Sequence, residues 1–126
     1  MDRPHEMVLR LSARQEDWLI ARMALSGLGM LAGLDADLIG DLQTAVNECC
    51  DCLVHQPTTP EALVLSARAE EGRLHFRFSA EGSAGQRPKD ALSAEIARCV
   101  LETLLPEVCL ETDERGVYSI CGSLAG

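Results

Sequence analysis

The sequence predicts an α+β two-layer sandwich, a mixed and mostly antiparallel sheet of about five strands with three helices on one face. Three observations carry this. Within Asp35–Gln56 the apolar residues Leu38, Leu42, Ala45, Val46, Cys49 and Leu53 fall at i, i+4, i+7, i+8, i+11 and i+15, a continuous stripe along one side of a helix. Leu63–Ala69 and Arg73–Phe78 alternate with period two around Glu70-Glu71-Gly72, a hairpin signal. Strand-like and helix-like runs follow one another as β-α-α-β-β-α-β-β without a repeat, a low-complexity tract or a compositional break. Residues 1–126 therefore read as a single domain.

In chain order, Met7–Ser12 is the opening strand. A helix beginning at Ser12 or Ala13 runs to about Ala32, with Trp18, Leu19, Ala21, Met23, Leu25, Leu28 and Leu31 as a broad apolar set, so it is expected to be covered on much of its surface. Gly27 and Gly29 weaken it locally and suit close packing, and Gly33 is its natural C-cap. The central helix follows at once, capped by Asp35 or Asp37 and ended by Pro57. In the second hairpin strand Leu74, Phe76 and Phe78 oppose Arg73, His75 and Arg77, one buried face and one wetted face. Glu81–Asp90 is a loop. Asp90–Leu105 is a third helix with Leu92, Ile96, Cys99, Val100 and Thr103 or Leu104 on its apolar side, ended by Pro106. Val108–Thr112 and Val117–Gly122 close the sheet around Asp113–Gly116.

Composition narrows the function classes. A net charge of −9 argues against a nucleic-acid partner, because a phosphate-binding face needs clustered Lys and Arg. No apolar run approaches the roughly 20 residues of a membrane span, and MDRPHEMVLRLS lacks the apolar core of a signal peptide, so a cytoplasmic protein is expected. Aromatic residues are only Trp18, Phe76, Phe78 and Tyr118, so the core is built from aliphatic side chains, Met and Cys.

The element order and the wording of the first half resemble the anti-sigma-factor serine/threonine protein kinases, which have the GHKL, or histidine-kinase-like, ATPase fold. The resemblance is carried by Trp18–Leu28 and by Gly33–Cys50, GLDADLIGDLQTAVNECC. It implies that Glu48 corresponds to the family's catalytic glutamate, a general base toward an attacking hydroxyl. It implies too that Cys52 stands where the family has a Mg²⁺-holding asparagine. A thiol is a poor ligand for a cation that wants oxygen donors. The family's Asp-x-Gly-x-Gly adenine motif matches Ala80–Gly85, with Gly82 and Gly85 near their places and Ala80 replacing the aspartate. Its glycine-rich phosphate turn is replaced by Lys89–Glu95, whose Asp90 and Glu95 would repel phosphate.

The resemblance thus implies a degenerate member, a regulatory protein that binds a sigma factor or an anti-anti-sigma partner. Glu48 is then the catalytic candidate, with Glu48, Cys52, Gly82 and Gly85 as the remnant cofactor-binding positions. No cofactor is expected, with ATP and Mg²⁺ only if the degenerate site still works. The alternative is a divergent but active kinase with Glu48 as base. A third possibility is a metal or redox role for Cys49, Cys50 and Cys52. Cys49, Cys52 and His55 fan over roughly 120° of one helix, and tetrahedral sites usually draw on two elements. Reduced thiols acting as small hydrophobes, buried or half-buried, are the competing reading, and no metal site is expected. The clusters Asp35-Asp37-Asp41, Glu70-Glu71 and Glu111-Asp113-Glu114 read as solvated rims. Trp18, Leu19 and Met23 offer more apolar surface than one helix face can bury, which predicts a homodimer.

Overall fold

The computed structural model describes residues 3–54, 60–82, 91–113 and 116–126. His55, the expected helix end at Gln56–Pro57, Gly85, Lys89, Asp90, the Leu92 side chain and the turn residues Glu114 and Arg115 lie outside that set. Strand β1 (His5–Ser12) precedes a short 3-10 turn (Gln15–Asp17) and helix α1 (Trp18–Leu31), then helix α2 (Ala36–Val54). Strands β2 (Ala62–Glu70) and β3 (Arg73–Glu81), helix α3 (Ala91–Leu104), and strands β4 (Glu107–Asp113) and β5 (Gly116–Ala125) complete the chain. The sheet order is β1-β2-β3-β5-β4 and every neighbouring pair is antiparallel, so the mixed sheet allowed by the sequence is in fact uniformly antiparallel.

Strand alternation divides the sheet into two faces. Leu63, Leu65, Leu74, Phe76, Phe78, Ile120 and Leu124 turn toward the helices and are buried. The residues between them, including Ser66, Arg68, His75, Arg77, Cys109, Cys121 and Ser123, line the opposite face. The expected split of β3 into an apolar and a wetted side is what forms.

Helix α2 runs against both other helices and the sheet. Asp35 is its cap, its Oδ1 accepting from the Leu38 amide at 2.9 Å. The expected stripe is buried from Leu42 onward and is widened by Ile39, Cys50 and Cys52, with Leu38 only half-buried. Helix α1 ends in paired hydrogen bonds, Gly33 N to Met30 O and Leu34 N to Gly29 O, both 3.0 Å. That is the glycine-terminated Schellman arrangement.

Two faces differ from the sequence reading. Helix α1 is covered on one side only: Trp18, Ala21, Leu25 and Leu28 are buried, whereas Leu19, Ile20, Met23, Met30 and Leu31 face outward. Trp18 is thus a core residue and contributes nothing to a surface patch. Among the described side chains of α3, Ala97 and Leu101 are buried, continued by Leu105 just beyond the helix, while Ile96, Cys99 and Val100 are exposed. Both α3 stripes have helical spacing. The one that lies against α2 and β4 is chosen by where the chain must enter β4, a constraint no local pattern contains.

Near its start β5 departs from regular pairing. Asp113 opposes Gly116 and Thr112 opposes Val117, but Glu111 opposes Ser119. Tyr118 is the extra residue, and beyond this bulge the register is advanced by one. Leu110 therefore meets Ile120 on the helix side, and Cys109 meets Cys121 on the open side.

Candidate functional site

The described residues that the sequence singles out as site candidates, Glu48, Cys52 and Gly82, lie on α2 and just after β3. Glu48 is half-exposed on α2. Its carboxyl is raised from the ordinary range, first by burial and then by the neighbouring Asp51 carboxylate. One turn later Cys52 is buried in the core. A buried thiol is a poor donor to Mg²⁺, so the residues present do not suit a magnesium–nucleotide complex at this position.

Gly82 has φ 75° directly after β3. A Cβ there would lie 2.9 Å from Glu61 Cβ, and the Glu61 amide donates to Glu81 O at 2.9 Å. The β2–β3 pair closes here by bringing Glu61 hard against residue 82, which explains this glycine without a phosphate contact. Gly85, the other expected loop glycine, is outside the described residues.

The cysteine triad of α2 belongs to the core. Cys49 and Cys50 are fully buried and Cys52 nearly so. Burial pushes the Cys49 thiol well up and the Cys50 thiol to about 12, with Arg22 opposing the latter shift. Such thiols are inert as nucleophiles at neutral pH. Among the described residues no group of three or more His, Cys, Asp and Glu side chains could hold a metal ion.

A cavity of about 520 Å³ occupies the open sheet face instead. One cross-strand row along its floor is Glu6, Arg68, His75, Ser123 and Glu107, and the next is Val8, Ser66, Arg77, Cys121 and Cys109. Arg77 anchors the second row. Its Nη1 donates to Ser119 Oγ at 2.8 Å and to Glu111 Oε1. The Tyr118 hydroxyl donates to the other Glu111 oxygen at 3.3 Å. The Arg77 guanidinium holds the Glu111 carboxyl below its usual value. Glu111, expected to be part of a solvated rim, is on the surface and is also the acceptor shared by Arg77 and Tyr118.

The sequence reading marked Arg77 and His75 as wetted but did not collect them with Cys109 and Cys121. A signal was present in principle, since a hairpin about residues 113–116 brings 109 near 120 or 121. Only the bulge decides between them. Comparison of the sequence with protein-family models and with curated proteins gives no match. No helix among the described residues is long and apolar enough to cross a membrane.

Proposed function

We propose that this chain is an anti-sigma-factor-like regulatory protein that acts by docking a protein partner, a sigma factor or an anti-anti-sigma factor, without nucleotide chemistry. The observation that carries the reading is the outer face of α1. Leu19, Ile20, Met23, Met30 and Leu31 stand exposed along one helix, in a chain whose first half has the wording of that family. Exposed apolar residues gathered on one face mark an interaction surface. The buried Cys52 in place of a Mg²⁺-holding asparagine supports the loss of nucleotide chemistry, as does Ala80 in place of the adenine-gripping aspartate. The same α1 face serves self-association into a homodimer, and the location is cytoplasmic.

Isothermal titration with ATP and Mg²⁺ tests the first element. No binding heat is expected, and micromolar binding with adenine-specific competition overturns the loss of nucleotide. Sedimentation tests the second. A dimer at micromolar concentration that Leu19→Asp with Met23→Asp converts to a folded monomer is expected, and a monomeric wild-type chain removes self-association from the proposal. Docking is read by titrating candidate sigma-factor domains against the chain and the same double variant, which should bind at least tenfold more weakly.

The second reading, an active divergent kinase, draws on the raised Glu48 carboxyl, since a base poised toward neutrality suits proton abstraction. Transfer of labelled phosphate to an anti-anti-sigma protein, abolished by Glu48→Gln, would establish it. Absence of transfer, or transfer at an unchanged rate in Glu48→Gln, removes Glu48 as its base.

A further inference from the structure

We infer that Cys109 and Cys121 form a reversible dithiol–disulfide site in the open-face cavity, oxidised by small-molecule disulfides. It is independent of the partner-docking proposal. The two residues sit directly opposite one another on β4 and β5, an antiparallel pair. Directly opposed residues in such a pair have Cα atoms roughly 4.5–5.5 Å apart, inside the roughly 4.4–6.8 Å window that a disulfide spans. Both side chains stand on the open face of the sheet and line the same cavity. The register thus places the two backbones at a separation that a disulfide can span.

Access and surroundings separate this pair from the other four cysteines. Cys109 is exposed, Cys121 is half-buried, and both line the cavity. Cys49, Cys50 and Cys52 are sealed in the core, and Cys99 is exposed on α3, a different element. Arg77 is the cross-strand neighbour of Cys121 on the side away from Cys109. Its guanidinium favours the thiolate there, against the burial and the neighbouring Cys109 that raise the Cys121 thiol. The facing groups of the floor are Glu6, Arg68, His75 and Glu107, with Glu111 held by Arg77.

The order of the chemistry follows from exposure. The Cys109 thiolate attacks one sulfur of the small disulfide, whose other half leaves as a thiolate. A Cys109 mixed disulfide results. Cys121, having given up its proton to solvent, attacks the Cys109 sulfur and expels the second half. The two protein thiols lose two electrons and two protons, and the small disulfide becomes two thiols. A small thiol in excess reverses both steps.

The test incubates the full-length chain with oxidised glutathione, quenches with an alkylating agent, and maps peptides by mass spectrometry without reduction. The expected product has the Cys109 and Cys121 peptides joined within one chain, together lighter by two hydrogen atoms than the two free peptides. Dithiothreitol should restore both thiols. Cys99→Ser should form the same link. Cys121→Ser should stop at a glutathione adduct on Cys109, and Cys109→Ser should lose the link. The inference is overturned if Cys109 and Cys121 both remain alkylatable at oxidant levels that glutathionylate Cys99. A link joining any other pair, or one between two chains, overturns it as well. The wild-type peptide map decides the matter even where a variant misfolds.

Discussion

Gly29 of α1 lies directly under Ile39 of α2: a Cβ on the glycine would fall 2.6 Å from Ile39 Cδ1, with Leu34 Cδ1 at 3.4 Å and Leu42 Cδ2 at 3.5 Å behind it. The two helices cross where one has no side chain. Gly27, two residues earlier, has nothing within 4 Å of the same added atom. Of the two glycines that the sequence singles out for close packing, only Gly29 is used for it.

Gly27→Ala should therefore stabilise the fold by ~0.5–1 kcal/mol, the ordinary helix-propensity gain. Gly29→Ala gains the same propensity but must displace the Ile39 Cδ1 methyl, and overpacking of a helix crossing costs ~1–3 kcal/mol. Urea denaturation should place the Gly29→Ala midpoint below that of Gly27→Ala by at least ~1 kcal/mol. Coincident midpoints would show that the crossing has slack.

Asp35 is the acceptor at the start of α2, and Asp37 sits within the first turn. Asp35→Ala should cost ~1 kcal/mol by leaving the Leu38 amide without its cap. Asp37→Ala should lose only the helix-dipole contribution, up to ~0.5 kcal/mol. Thermal melts of the two variants against wild type separate these, and equal losses would contradict the assigned cap.

The Arg77–Glu111 pair makes a prediction about pH. Because the folded-state carboxyl of Glu111 is lowered, its stabilising contribution is present above the ordinary carboxylate range and is lost as pH falls through the lowered value. Both partners are on the surface, so the contribution is salt-sensitive and small. The direct readout is a carboxyl NMR titration. In Arg77→Gln the Glu111 resonance should titrate at higher pH than in wild type. An unmoved titration would mean that Arg77 does not hold Glu111 in solution.

Thiol reactivity should follow burial. In native protein Cys99 and Cys109 should alkylate quickly, and Cys49, Cys50 and Cys52 only through opening of the core, slower by orders of magnitude. For Cys50 the thiol, pushed to about 12, adds to steric protection by leaving almost no thiolate at neutral pH. Rapid native alkylation of Cys50 would contradict the packing of α2 against its neighbours.

The sequence alone determined the element order and the ends marked by Gly33, Asp35 and Pro106, because those are local signals; α1 starts only at Trp18, after a 3-10 turn, and β3 and β5 run on to Glu81 and Ala125, three residues beyond the expected ends. It also determined the two faces of β3, since side-chain alternation within a strand needs no partner. Which side of α1 and α3 would be covered was decided only in the tertiary structure: both helices carry two plausible apolar stripes, and sheet connectivity selects one. The same holds for the thiols. Cys49 was legible as a core residue from the apolar stripe, whereas the burial of Cys50 and Cys52 is set by packing. Cys109 and Cys121 are separated along the chain, and the one-residue bulge at Tyr118 sets them face to face. Strand register is a relation between two segments, so neither segment contains it by itself.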